Sequence, residues 1–384
     1  MIIDCSSKDI DVGIMGGSKG FQSTFDHLYK TLASCQNIES LTLFVADGGW
    51  NMDSSNRRAF NWSDGDIFPS LRNLTIINYD WRVSEDGQIS DPWINRMDWS
   101  QLEHLEMDIP SPQVFESLMS KLSGLRSLKL HPEWGFWGDG GALCSYDSPA
   151  YKNSSSFYDS IISLSPLNRL SLNGLGGHLE ITKLLEKHGP TLEQFTIHNL
   201  ENDCQYITGN DSWVRPYLNL SEIAEIRERA PHLKSLGLDV HRTSSTWLGG
   251  VFKELSEFTD LEDLTMYFNN QDPYNWNETR YCPSHGSCLA KTAVEPPLTK
   301  SISLELWRKI EECRKSNGLS MVRTLTLYAG DWGETEMDVK QNTYHDENPI
   351  PKKYRCTRQP SGSVQCLREK GIWDYYNNDD TNDM

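Results

Sequence analysis

Long apolar runs are missing from this chain of 384 residues. No stretch approaches the roughly 18 uninterrupted apolar residues of a membrane span, so no spanning helix is expected. A basic surplus is missing too. Lys and Arg number 36 against 54 Asp and Glu, and the formal net charge of −18 repels both a nucleic-acid backbone and an anionic bilayer. The opening MIIDCSSKDIDV carries acids and no apolar core, so it does not read as a secretory signal. Nine cysteines, an odd and scattered set in a chain without an export signal, read as free, mostly buried thiols of a reducing compartment, cytoplasmic or nuclear. Asn-x-Ser/Thr triplets at Asn61, Asn73, Asn153, Asn210, Asn219 and Asn277 are near chance in so polar a chain and carry no weight. The hydrophobic fraction of 37% suits a thin fold with much surface better than a compact sphere.

Catalytic and metal signatures are also absent. GIMGGSKG, from Gly13 to Gly20, has Ser18 and Gly20 where a phosphate-binding loop needs a glycine before its lysine and a hydroxyl after it, and no clear strand precedes. It reads as a lead-in to a helix. CPSHGSC brings Cys282, His285 and Cys288 together, with Cys313 further on, but five residues between the cysteines is not a zinc-knuckle spacing. Asp64 and Asp66 in WSDGDIF lack the acidic series and terminal Glu of a calcium loop. There is no G-x-S-x-G elbow and no histidine–carboxylate motif. The expectation is a protein without catalytic residues, metal or cofactor.

What is present is a hexamer. LRNLTI from Leu71 and LRSLKL from Leu125 share an apolar frame with IESLTL (Ile38), LEHLEM (Leu102), LNRLSL (Leu167), LEQFTI (Leu192), LKSLGL (Leu233), LEDLTM (Leu261) and VRTLTL (Val322). The nine starts lie 33, 31, 23, 42, 25, 41, 28 and 61 residues apart. In each, two apolar residues alternate with polar ones, which is a short strand with one buried face. Helical stripes lie between: FDHLYKTLASC, LEITKLLEKH, SEIAEIRERA, WLGGVFKELSEF, LELWRKIEEC, and SPQVFESLMSKL with Ser111 as its cap and Pro112 in the first turn. A doubly wound sheet also alternates strands and helices, but it wants longer, continuously apolar strands. The fixed frame favours an α/β leucine-rich-repeat solenoid, a horseshoe with at least eight parallel inner strands and outer helices. Leu128 and Leu170 should be buried in it. Residues 1–20 form a lead-in, 21–340 the repeats, and 341–384 a polar tail without periodicity that reads as extended or disordered. Lys352, Lys353, Arg355 and Arg358 make a basic patch in that tail, a candidate secondary docking segment set against a solvated tail.

On these hexamers, and on lead-ins such as LASCQNIESLTL and RAPHLKSLGL, the chain resembles the irregular leucine-rich-repeat proteins of the fungal F-box type over residues 20–335. The resemblance implies a protein–protein interaction module, the substrate-recognition part of a ubiquitin ligase. No helical bundle opening with Leu-Pro precedes the first stripe, so the F-box has been lost, lies outside this chain, or never existed. Ligase-core attachment does not follow. A stand-alone scaffold and a carbohydrate binder or enzyme using a Trp-rich rim are the alternatives.

Side-chain alternation sends the third and fifth residues of each hexamer, and the one after the sixth, away from the core. The candidate protein-binding residues are therefore His104, Glu106, Asp108, Lys129, His131, Arg169, Asn173, Gln194, His198, Asp239, Asp263, Tyr267 and Tyr328. The acids among them bias the expected partner toward basic segments. Loops leaving the strands end in Trp50, Trp81, Trp134, Trp137, Trp276 and Trp332. Each is either a lid on its own repeat or part of a binding rim, and Trp134 and Trp137 join the candidate site.

Overall fold

The computed structural model describes residues 7–15, 21–35, 37–46, 59–60, 62–63, 65, 67–79, 81, 91–108, 112–131, 154–173, 181–199, 217–240, 249–269, 297–330 and 352–369, and the backbone of 271–282 and 286–293. The chain forms two compact units, Met1–Leu172 and Asn173–Met384. All nine hexamers become strands, each starting at the hexamer's third residue.

In the first unit the strands are β1 (Asp9–Met15), β2 (Ser40–Ala46), β3 (Asn73–Ile77), β4 (His104–Asp108), β5 (Ser127–His131) and β6 (Arg169–Asn173). Each pairs in parallel with the next. Between them lie α1 (Phe21–Ser34), α2 (Trp93–Arg96), α3 (Pro112–Met119) and α4 (Ser154–Ser163). The second unit holds β7 (Gln194–His198), β8 (Ser235–Val240) and β9 (Asp263–Phe268), then the hairpin β10 (Gln271–Cys282) and β11 (Gly286–Ala293), and finally β12 (Thr324–Ala329). Strands β7, β8, β9 and β12 are parallel neighbours in that order. Its helices are α5 (Ile181–His188), α6 (Leu220–Arg229), α7 (Gly249–Ser256) and α8 (Lys300–Ser316).

The hexamer frame explains both core and register. Its apolar positions are buried in every strand; Leu128 and Leu170 are each 1% exposed, as expected. One backbone device recurs. The carbonyl of the second hexamer residue accepts from the N–H groups of the second and third residues of the next hexamer. Glu39 O accepts from Arg72 and Asn73, Arg72 O from Glu103 and His104, Glu103 O from Arg126 and Ser127, and Arg126 O from Asn168 and Arg169. Glu193 O, Lys234 O and Glu262 O do the same in the second unit. A bifurcated acceptor at each of these steps pins the strand to its predecessor without a residue of slip.

Turns pack equally closely. A Cβ on Gly124 would sit 2.4 Å from Ser100 O, and one on Gly189 2.4 Å from Arg229 O, so both positions need glycine. Arg314 of α8, fully buried, donates to the carbonyls of Phe258, Thr259, Leu261 and Ser320, tying the helix to the turn before β9. Burial lowers the pKa of its guanidinium. Rings of Phe25, Tyr29, Phe60, Trp62, Phe68, Tyr79, Trp93 and Trp99 pack together in the first unit. Tyr79 Oη donates to buried Asp91 at 3.2 Å.

Four expectations are corrected. A strand, β1, occupies the lead-in and runs into GIMGGSKG, because Ile10 and Val12 alternate with exposed Asp9 and Asp11 and continue the inward-facing rows of β2. Residues 16–20 of that loop lie outside the described residues. The longest insertion, whose CPSHGSC reads in sequence as a loop with free thiols, carries the antiparallel β10–β11 hairpin instead, with residues 283–285 outside the described ones. The tail contains two antiparallel strands, β13 (Lys352–Arg358) and β14 (Val364–Glu369), the first paired with β12. Its inward face supplies Tyr354, Cys356 and Cys366 to the core, an alternation too short to stand out in so polar a segment. The cysteines are not all thiols either. Cys356 and Cys366 face each other across that hairpin and form a disulfide, and Cys35 is disulfide-bonded. Among the described cysteines Cys313 is free. No helix among the described residues is long and apolar enough to cross a membrane.

Candidate recognition face

The polar positions of neighbouring hexamers line up in rows across each unit's strands. In the first unit, pairing sets Thr42, Thr75, Glu106, Lys129 and Ser171 in one row, and Asn73, His104, Ser127 and Arg169 in another. Asp108 and His131 are partners in the next row. Arg169 is exposed and Asn173 half-buried at the two ends of β6.

The expected charges are here, but they are engaged with each other. Glu106 Oε1 lies 2.8 Å from Lys129 Nζ and 2.7 Å from His131 Nε2. Burial alone would raise the Glu106 pKa. The hydrogen bond from His131 and the charge of Lys129 outweigh it and bring the group down to about 2. Asp108 Oδ2 accepts the backbone N–H of Asn78, a residue just past β3 at φ 59°, a left-handed geometry that asparagine tolerates. Burial, helped by the charge of Arg169, lowers the His104 pKa.

In the second unit the same idea recurs with rings. His198, Asp239, Tyr267, Tyr328 and Lys353 form one row across β7, β8, β9, β12 and β13. Asp239, 3% exposed, accepts from His198 Nδ1 at 2.9 Å and from Asn199 N at 2.6 Å and Nδ2 at 3.2 Å. The carboxylate thus holds the imidazole by one nitrogen. The His198 ring lies 3.8 Å from that of Tyr267 and nearly parallel to it, at 16°. Tyr267 and Tyr328 stack at 4.7 Å, and Lys353 Nζ sits 5.1 Å from the Tyr328 ring. Gly237, one row below, leaves room where a Cβ would come within 2.8 Å of Thr196 Oγ1. Asp263 pairs with Arg323 at 2.6 Å, and Gln194 is exposed at the start of β7.

The basic patch of the tail is part of this framework. Lys353 and Arg355 share Glu369, at 2.6 and 2.7 Å, while Arg358 pairs with Glu311 and lies over the Trp307 ring. Sequence reasoning missed Asn78, Asn199, Arg323 and Glu369. Asparagine immediately after a hexamer strand was the available signal for the first two. Trp81 packs as a lid, stacked 5.9 Å from Trp93 at 26° and 6.5 Å from Trp99. Trp50, Trp134, Trp137 and Trp332 lie outside the described residues, and Trp276 falls within β10, where the backbone alone is described. Among the described residues no group of His, Cys, Asp and Glu is placed to hold a metal ion. No protein-family model matches this chain, and neither does any curated protein.

Proposed function

We propose that this chain is a non-enzymatic protein-recognition module of leucine-rich-repeat type that binds its partner on the polar strand face. The observation that carries the reading is the row His198–Asp239–Tyr267–Tyr328–Lys353, whose members are held in fixed geometry by stacking and by a buried carboxylate. Pre-ordered tyrosines bind at small cost in side-chain entropy and are favoured interface anchors. Glu106, Asp108, Asp239 and Asp263 are already bonded within their own units, so a basic partner segment would compete with existing contacts. We therefore centre recognition on the rings and amides. The same stacking covers ring faces that a sugar would need, which disfavours carbohydrate binding here.

The resemblance to F-box repeat proteins makes substrate recognition in a ubiquitin ligase the specific form of this proposal; a scaffold without ubiquitin chemistry is the alternative. Affinity purification of the tagged chain from its native cells, compared with Tyr267→Ala/Tyr328→Ala, tests the site. A partner retained by the parent and lost from this variant, with melting unchanged, is the expected result. Loss instead on changing Lys253 and Glu312, both exposed on helices, would move the site to the helical side. Recovery of the F-box adaptor separates the two forms of the proposal.

A further inference from the structure

The identical apolar frame of the hexamers raises a problem that the frame cannot solve. Every strand offers the same inward pattern, so burial alone does not tell a strand's proper neighbour from the next one along. The second hexamer residue does. In the first unit this position carries Glu39, Arg72, Glu103, Arg126 and the neutral Asn168, and in the second Glu193, Lys234, Glu262 and Arg323. Lys8 holds the same place before β1, since its carbonyl accepts from Glu39 N and Ser40 N. The signs therefore run plus, minus, plus, minus, plus in the first unit, and minus, plus, minus, plus in the second.

The side chains meet as that order demands. Lys8 pairs with Glu39, Arg72 with Glu103 at 3.6 Å, Glu193 with Lys234 at 3.3 Å, and Glu262 with Arg323 at 3.4 Å. The hydrogen bond from Lys8, and the charges of Lys8 and Arg72, lower the Glu39 pKa. These groups are largely exposed, and each pair alone contributes little to stability. Solubility would be served by any mixture of signs. Strict alternation has a different effect: a strand that skips one repeat meets its own sign, and like charges facing each other across strands are unfavourable.

We propose that the second hexamer position is a charge code that fixes which repeat pairs with which. This goes beyond the proposed binding function and is independent of it. The code acts during pairing, when backbone bonds and apolar contacts are equally available to correct and skipped neighbours. Its information lies in the order of signs and not in particular side chains.

Two variants of the full chain separate order from identity. R72E/E103R keeps composition and net charge but sets acid beside acid at Glu39 and base beside base at Arg126. K8E/E39K/R72E/E103K/R126E reverses every sign in the first unit and keeps the alternation. Each is refolded from urea at low salt and at 1 M NaCl, and native monomer is measured by size exclusion. The expected result is several-fold lower recovery for the exchanged pair at low salt, largely restored at high salt, with the fully reversed chain recovering like the parent. Equal recovery of the two variants, whether both are high or both low, or a deficit unaffected by salt, overturns the proposal.

Discussion

At the scale of single residues, the apolar frame and the buried polar groups make different demands. Leu128→Ala removes a buried side chain between two paired strands and should cost about 2–5 kcal/mol in urea unfolding. Arg314→Lys keeps the charge but cannot reach the four carbonyls that the guanidinium serves. The orphaned acceptors should lower stability by about 2–4 kcal/mol. Glu106 makes a prediction in pH. Its folded pKa, about 2, lies below its ordinary 4.5, so the stability it contributes is full above the higher value and is lost as pH falls toward the lower. Glu106→Gln should flatten that part of the acid unfolding curve and cost about 1–2 kcal/mol at pH 7, a figure reduced for solvent screening. The leucines were legible because each hexamer repeats the same burial. Arg314 was not, since a lone arginine in a helical stripe looks the same whether it faces water or carbonyls.

At the scale of elements, six of the eight helices among the described residues lie in stripes visible by apolar spacing, and nine of the fourteen described strands in hexamers. The others were hidden for physical reasons. Strand β1 has the same alternation but lacks a leucine at the first position, where Ser7 stands. Strands β13 and β14 lie beside α8 and turn Tyr354, Cys356 and Cys366 into the core, while their polar outer residues dominate the local composition. Their hairpin gives the last parallel strand an antiparallel neighbour, and the Cys356–Cys366 bond closes it over a separation of 10 residues. Cys356→Ser/Cys366→Ser, compared with the oxidised parent, should lose about 2–3 kcal/mol by loop-closure entropy. Mass mapping of the unreduced protein would check the bond itself. The candidate face was legible as a list, because alternation fixes which residues point outward. Its pairing was not. Whether Asp239 meets a partner or its own His198 depends on which residues register side by side, and spacing in sequence does not disclose that.

At the scale of the whole chain, what counts is that parallel pairing mostly links hexamers adjacent in sequence while the segments joining them vary from 23 to 61 residues between starts. Pairing registers are kept regardless of what the connection contains. The β10–β11 hairpin shows this most plainly: it lies between β9 and β12 in sequence, yet Asp263 still opposes Thr324 and Phe268 still opposes Ala329. The chain has thus already absorbed a self-paired excursion without disturbing its neighbours. A reporter domain with closely spaced termini, spliced between Cys282 and Gly286, should be carried in the same way, giving an engineered fluorescent derivative whose host portion melts within a few degrees of the parent. The longest irregularity of the repeat pattern is thereby its most practical handle.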